Sequence, residues 1–245
     1  TVREKIAYGL GDTASNIIFQ TVMMFLLIFY TDVVGISPAI VGTMFLVVRL
    51  FDAITDPLMG ALADRTKTRF GQFRPYLLWL AVPFGIISIM AFTTPDFTGN
   101  GKLIYAFATY TLLMLAYTAI NIPYSALGGV LTAQPSERVS VQTYRFVLGM
   151  LGGLIVAAGT LPLVEYFGNG DKAKGYQLTM VAMSLLGVVM FLLCFSGTKE
   201  RVSVPEAQKT SFLEDLKSLW QNDQWRILCL AGLFLLTGQV LRATL

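Results

Sequence analysis

The stretch that decides the fold is AIVGTMFLVVRLFDAITDPLMGAL, residues 39–62. It is apolar and long enough for one membrane-spanning helix, which needs about 20 mainly apolar residues. Its middle carries Arg49, Asp52 and Asp56. Positions spaced i, i+3 and i+7 project from one face of a helix. Because a charge at bilayer depth costs at least about 2.5 kcal/mol, this face must point into the protein or into a watery cavity.

Two interpretations of this charged face are open. Two carboxylates one turn apart with a single arginine leave one negative charge uncompensated, which suits Na⁺, Li⁺ or a proton. The alternative is an Arg49–Asp52 pair that only locks helices together, since interior ion pairs can be architectural. Asp56 favours the cation site, because an architectural pair needs no second acid. Pro57 follows directly and would free carbonyl oxygens near the site.

The composition places most of the surface against lipid. The chain is 55% hydrophobic and 13% charged, whereas soluble domains are nearer a quarter charged. It has no histidine, and its two cysteines lie within apolar runs, which removes most zinc sites and most histidine-based acid–base chemistry. We therefore expect a membrane protein that is not an enzyme and has no cofactor beyond a coupling ion, Na⁺ or H⁺.

Seven apolar stretches are long enough to span a bilayer. They run roughly 8–30, 39–62, 75–95, 103–131, 141–165, 176–197 and 226–245. The pattern predicts a six-helix bundle over 1–197, a cytoplasmic middle loop over 198–225 and the start of a seventh helix over 226–245. This is the layout of a two-halved transporter. Because the chain starts at Thr1 and ends at Leu245 inside an apolar run, we expect both termini to be cut and the C-terminal half to be a missing partner.

The basic residues predict the orientation. Twelve of the eighteen Lys and Arg lie in one set of loops with the N-terminus, and three lie in the opposite set. Cytoplasmic loops carry this excess, so we expect a cytoplasmic N-terminus in an inner (plasma) membrane protein. Arg49, Arg145 and Arg242 fall inside the spans. The basic residues are interspersed with acids, so nothing suggests nucleic-acid binding.

Polar residues recur on helices 1, 2, 4 and 5, which together describe the lining of one cavity. Outside helix 2 they are Asp12, Ser15 and Asn16; Tyr117, Asn121 and Tyr124 or Ser125; and Gln142, Tyr144 and Arg145. A sugar needs such donors, acceptors and rings, although any single Asn or Tyr is more often a helix–helix hydrogen bond. Asp12 lies about one turn into its span, where a solvated or capping role and a functional one are equally open. Gly149, Gly152 and Gly153 would permit close helix contact.

Several motifs between Lys5 and about Trp220 resemble those of the glycoside-pentoside-hexuronide cation symporter family, a branch of the major facilitator superfamily that includes melibiose permease. The motifs are Tyr8-Gly9-x-Gly11, Tyr30-Thr31-Asp32-Val33-Val34-Gly35, Arg49-x-x-Asp52-Ala53-x-x-Asp56-Pro57-x-x-Gly60, Gly60-x-x-x-Asp64-Arg65-x-Lys67-x-Arg69-x-Gly71, Arg74-Pro75 and Asn121-Ile122-Pro123-Tyr124. Together they are specific, although each alone would be weak.

The resemblance implies an all-α transporter of two six-helix bundles with a central sugar site and alternating access. It implies that Asp52 and Asp56 bind the cation with Thr118 nearby, and that Asp64, Arg65 and Arg69 belong to a loop remade in each cycle. The residues expected to contact the sugar are Asn16, Arg49, Tyr117, Asn121, Ser125 and Arg145. Where melibiose permease has a Lys-Asp pair on helix 1, this chain has Ser15-Asn16. Asn121 and Ser125 replace its helix-4 Asp and Trp, so the less acidic site would suit a hexuronide or a pentoside.

Two other functions remain open from the sequence. A transporter of lysolipids or other amphiphiles would use a related scaffold, but it would need a lateral apolar opening. A non-transporting membrane sensor would not need a charged face that points into a cavity. Cation-coupled sugar symport is therefore the function that the sequence favours.

Overall fold

Long α-helices make up the first of two compact units, Thr1–Ser203 and Val204–Leu245. The computed structural model describes residues 1–95, 97, 99–202, 220–224, 226–228, 230–232 and 234. Helix α1 continues past Thr21 through two π-helical segments, Val22–Leu26 and Phe29–Val33. The helices described in this unit are α1 Val2–Thr21, α2 Pro38–Arg65, α3 Arg74–Ala91, α4 Asn100–Val130, α5 Pro135–Gly168 and α6 Lys172–Gly197.

Five of these helices, α2 to α6, are long and apolar enough to cross a membrane. The regular part of α1 is not among them, because it carries four charged residues, Arg3, Glu4, Lys5 and Asp12. The protein is therefore a multi-pass membrane protein, and the all-α fold class is confirmed. Of the predicted seventh span, the structure describes residues 226–228, 230–232 and 234, all helical, while Arg242 lies outside the described residues.

Local sequence sets the helix ends. Proline occupies the first turn of α2, α3 and α5, where its missing N–H has no partner to lose. Asp171 begins α6 by accepting a hydrogen bond from the Lys174 amide at 3.2 Å. Gly35 turns the chain between α1 and α2 with a φ of 80°, a conformation that glycine adopts without strain.

Close contact between α1 and α5 organises the bundle. Helix α1 packs most extensively against α5 and then against α6, while α3 packs against α4 and α6 and α2 packs against α4. A Cβ atom at Gly152 would lie 2.9 Å from the Thr13 carbonyl oxygen, and one at Gly9 would lie 2.9 Å from the Tyr144 carbonyl oxygen. These glycines let the two backbones touch, as in other membrane helix pairs.

Helix α2 presents one face to the bundle and another away from it. Val41, Met44, Val48 and Asp52 are buried in the described structure. The opposite face is apolar and exposed, with Leu46, Leu50, Ile54 and Leu58 each 59–65% exposed. The carboxylate of Asp52 therefore points into the protein and not toward lipid.

We predict that Gly152→Ala destabilises the bundle. Its new methyl group would press on the α1 backbone, and overpacking of this kind costs about 1–3 kcal/mol. The midpoint of thermal unfolding in detergent should fall by several degrees. Gly153→Ala is the matched control, because its Cβ would have no neighbour closer than 3.9 Å. Equal melting temperatures for the two variants would contradict this account of the α1–α5 contact.

Candidate functional site

The charged face of α2 meets α4. Arg49 Nη1 lies 3.9 Å from Asp52 Oδ2, a long ion pair. The other oxygen, Asp52 Oδ1, is buried and has no hydrogen-bond partner among the described residues. Asp56 Oδ1 accepts a hydrogen bond of 2.8 Å from the Thr118 hydroxyl on α4. The structure thus brings both acids, the arginine and the threonine to one place, with one carboxylate oxygen short of a donor.

A second charged pair joins α1 to α5. Arg145 Nε lies 2.9 Å from Asp12 Oδ1. Asn16 Nδ2 donates to Asp12 Oδ2 at 3.2 Å and to the Asp12 carbonyl at 3.0 Å. The side chains of Asp12 and Arg145 are only 13% and 20% exposed. The sequence left Asp12 open between a solvated or capping role and a functional one, and the structure places it in a buried ion pair.

The Arg145 guanidinium has further neighbours on α4. Its Nη2 lies 3.4 Å from the Ser125 hydroxyl, and its carbon lies 5.2 Å from the centre of the Tyr124 ring. Tyr124 stacks on Tyr8 at 4.8 Å, and each hydroxyl donates to the other residue's carbonyl. This buried tyrosine pair forms the aromatic surface against which the Arg145 guanidinium lies. Nη1 of Arg145 makes no hydrogen bond with a described residue.

Phe19 and Tyr117 connect the two charged clusters. The rings of Tyr117 and Phe19 stack with their centres 4.7 Å apart. The guanidinium carbon of Arg49 lies 5.8 Å from the centre of the same Phe19 ring. Thr118, whose hydroxyl donates to Asp56, directly follows Tyr117 on α4, and Phe19 lies less than one turn from Asn16 on α1. The two clusters are therefore parts of one polar region between α1, α2, α4 and α5.

The half-buried side chain of Asn121 lies one turn beyond Tyr117 on α4. Neither the Asn121 amide nor the Tyr117 hydroxyl has a hydrogen bond to a described residue. Of the predicted sugar contacts, Ser125 and Arg145 meet directly, and Asn16 reaches Arg145 through Asp12. Arg49 and Tyr117 meet through Phe19, and Asn121 is placed only by its position on α4. The roles of all of them remain predictions.

Sequence reasoning missed the apolar part of this site. Asp12, Asn16, Phe19 and Met23 follow the spacing i, i+4, i+7 and i+11 and share one face of α1. Met23 Sδ lies 3.4 Å from Arg49 Nη2. Helical spacing alone could have placed Phe19 and Met23 on this face.

The loop between α2 and α3 is held by a residue that follows α6. The Glu200 carboxylate accepts hydrogen bonds from the amides of Gln72, Phe73 and Arg74 at 2.8, 2.8 and 2.9 Å. Gly71, with a φ of 113°, has no side chain to collide with this carboxylate. Glu200 thus occupies the N-terminus of α3, where a helix favours negative charge.

The predicted residues of this loop lie beside that contact. Asp64, Arg65 and Arg69 are exposed, and Arg69 lies over the Phe70 ring at 4.6 Å. Gln72 Nε2 donates to the Asp64 carbonyl at 2.9 Å. Within the described part of the chain, the side chains of Asp64 and Arg65 form no ion pair in this conformation.

Other charged residues close the same end of the bundle. Arg201 Nη1 lies 2.8 Å from Glu4 Oε1, and the amides of Arg201 and Val202 donate to the Val130 carbonyl. Lys5 Nζ lies 2.9 Å from Glu137 on α5. Residues 198–202, which the sequence assigned to the middle loop, are therefore tied to α1, α3 and α4.

Ionisable residues inside apolar membrane helices are typical of proteins that move ions or polar solutes across the bilayer. Comparison with known proteins agrees. Residues 7–245 match the family described as MFS/sugar transport protein, and the chain belongs to this family. Its resemblance to the glycoside-pentoside-hexuronide cation symporters is confirmed by curated relatives.

Three of these relatives are bacterial transport proteins. The chain is 52% identical over 234 residues to the inner membrane symporter YicJ of Escherichia coli (strain K12). The matched region covers 96% of this chain and 51% of YicJ. The chain is 50% identical over 242 residues to the putative glycoside/cation symporter YagG of the same organism, covering 99% and 53%. It is 42% identical over 227 residues to the isoprimeverose transporter of Lactiplantibacillus pentosus, covering 91% and 47%. The chain spans about half the length of these curated relatives.

We predict that Glu200→Ala loosens the α2–α3 loop. Hydrogen bonds to a charged group contribute about 1.5–3 kcal/mol each, so protection of the Gln72, Phe73 and Arg74 amides against hydrogen exchange should fall by at least about tenfold. Glu165→Ala removes an exposed acid elsewhere and should leave these amides unchanged. Unaltered exchange in the Glu200 variant would show that its carboxylate does not hold the loop.

Proposed function

We propose that this chain forms the first half of a symporter that carries a glycoside, pentoside or hexuronide together with Na⁺ or H⁺ by alternating access. The family and the names of the relatives support transport by symport. Because the chain spans about half of each relative, a second helical half of the same polypeptide is part of the proposal. The substrate and the coupling ion are inferred from the residues of the site.

The observation that carries the cation site is the Oδ1 of Asp52, which has no hydrogen-bond partner among the described residues. A buried carboxylate oxygen without a donor is costly, and a bound cation or proton removes that cost. Asp56 lies one turn further along α2 with a hydroxyl of α4 as its partner. Two carboxylates and a hydroxyl supply oxygen ligands of the kind that hard cations prefer.

The sugar site lies on the other side of Tyr117. A sugar presents many hydroxyl groups and an apolar ring face, so its recognition requires donors, acceptors and an aromatic surface together. Arg145 Nη1, the Asn121 amide and the Tyr117 hydroxyl have no partner among the described residues and could supply them. Asn16 and Ser125 border the same region. The lining explains how one site could bind a polyol.

Charge provides the coupling between the two sites. A cation at Asp52 and Asp56 would neutralise α2 and strengthen its link to α4, which carries Tyr117, Asn121 and Ser125. Closing the cavity with sugar alone would bury an uncompensated carboxylate. A ligand shifts a conformational equilibrium only by its differential affinity for the two states, so this penalty would favour closure with both substrates bound.

The network at the N-terminal end would be remade as the protein alternates. The excess of Lys and Arg in the loops at this end supports a cytoplasmic N-terminus in an inner (plasma) membrane protein. The contacts of Glu200, Arg201 and Glu4 would then keep the cytoplasmic ends of the helices together in one state. The α2–α3 loop with Asp64, Arg65 and Arg69 would change partners in the other state.

We predict that Asp56→Asn in the complete two-halved protein abolishes cation-driven accumulation of a radiolabelled glycoside in vesicles. The amide keeps the hydrogen-bonding shape but removes the charge that the cation balances. Typical couplings of 1–3 kcal/mol correspond to at least about fivefold in affinity, so sugar binding with and without Na⁺ should no longer differ. Undiminished accumulation against a gradient would refute the assignment.

A pair of threonine variants tests the contribution of the Thr118 hydroxyl separately from that of the Asp56 carboxylate. Thr118→Val should weaken cation dependence, because Asp56 loses its hydrogen bond to α4. Thr111→Val is the matched control, since the Thr111 hydroxyl donates to the Phe107 carbonyl of its own helix and to no other residue that the structure describes. Equal cation dependence in the two variants would remove Thr118 from the site.

A further inference from the structure

The guanidinium group of Arg49 reaches from α2 to α1. Its Nη2 lies 3.4 Å from the Met23 sulfur, and its carbon lies 5.8 Å from the centre of the Phe19 ring. Its Nη1 stays 3.9 Å from Asp52 Oδ2. A charge-assisted hydrogen bond between such groups would measure about 2.7–2.9 Å. Arg49 therefore contacts two apolar side chains of α1 and does not close on the acid of its own helix.

The two α1 residues are placed to hold one cationic group between them. Phe19 and Met23 are spaced i, i+4, so they are neighbours on one face of α1. Phe19 offers the face of its ring, and Met23 offers a thioether sulfur, which is a weak acceptor. An aromatic face attracts a cation about as strongly as a partly exposed carboxylate does. The Arg49 side chain is 45% exposed, so these contacts can compete with Asp52 for it.

The position of Arg49 determines what Asp52 can bind. A guanidinium that closed on this carboxylate could occupy both of its oxygens through two parallel hydrogen bonds. A cation would then have to displace the arginine before it could bind. With Arg49 held against α1, Asp52 Oδ1 has no donor among the described residues, and an incoming ion meets a carboxylate that is free to bind it.

We infer that Phe19 and Met23 are positioning residues of the cation site. They hold the Arg49 guanidinium against α1 and so keep the Asp52 carboxylate available to the coupling ion. This inference rests on the proposed function and deepens it. All of the contacts involved join residues of the first unit, Thr1–Ser203.

The test compares Met23→Leu with Met24→Leu in the purified, complete two-halved protein. Both changes nearly conserve side-chain volume, and the two methionines are similarly exposed, 47% and 44%. Of the two, Met23 alone has a described hydrogen bond to Arg49. Affinity for NaCl at constant ionic strength, and for protons without Na⁺, is obtained from the rise in the midpoint of thermal unfolding. The same titrations of Asp52→Asn are subtracted, so that only binding at this carboxylate is counted.

Met23→Leu should weaken binding of the coupling ion at least about twofold, because Arg49 loses an acceptor on α1 and closes on Asp52. Phe19→Leu should weaken it about two- to fivefold, the size of a cation–π contact. Met24→Leu should leave ion binding unchanged. In an Arg49→Gln background, neither Met23→Leu nor Phe19→Leu should change the affinity, since no guanidinium is left to hold.

Equal ion affinity in Met23→Leu and Met24→Leu would overturn the inference and leave the cation site standing. A loss that persists in the Arg49→Gln background would also overturn it, because Met23 would then act without Arg49. A wild-type protein that binds neither Na⁺ nor protons at Asp52 would count against the proposed function and this inference together. The comparison of the two methionine variants stays decisive if the Arg49 variant does not fold.

Discussion

The burial of charge inside apolar helices is the constraint on which the arrangement depends. An ionised side chain away from water needs a partner, and in a bundle a neighbouring helix can supply it. Asp12 on α1 meets Arg145 on α5, and Asp56 on α2 meets Thr118 on α4. Gly152 brings the α1 and α5 backbones close enough for the first pair to form. Packing and electrostatics therefore select the same helix neighbours, and breaking either one would disturb the other.

The two polar contacts differ in a way that bears on function. The Asp12–Arg145 pair lies in the most extensive helix contact of the first unit. Both oxygens of its carboxylate have a donor, the Asn16 amide and the Arg145 guanidinium. At Asp52, one carboxylate oxygen lies 3.9 Å from Arg49 Nη1, and the other has no donor among the described residues. A ligand that supplies positive charge has little to gain at the first pair and much to gain at the second. The sequence places five charges in the region, but only the structure gives their pairing, and the proposed cation site rests on that pairing.

Much of this architecture follows from local sequence. The span predicted over 39–62 lies within α2, and the inward direction of Asp52 follows from helical periodicity and the cost of charge in lipid. Partners distant in sequence could not be predicted in the same way. Arg145 lies more than a hundred residues from Asp12, and Glu200 is as far from the α3 amides that it caps. The π-helical segments of α1 were also missed, since their apolar residues carry no pattern that distinguishes a π turn from an α turn.

The position of the acid on α1 gives the comparison with melibiose permease a physical meaning. That protein has an acid where this chain has Asn16, and this chain has one at Asp12, a full turn earlier on the same helix face. An acid at position 16 would lie closer to Tyr117 and Phe19, among the groups proposed to meet the sugar. At position 12 it lies against Gly149 and takes the charge of Arg145 into the helix contact. The same two charges would then serve structure more than recognition, because the acid is held in the contact between two helices and not among the groups proposed to meet the sugar.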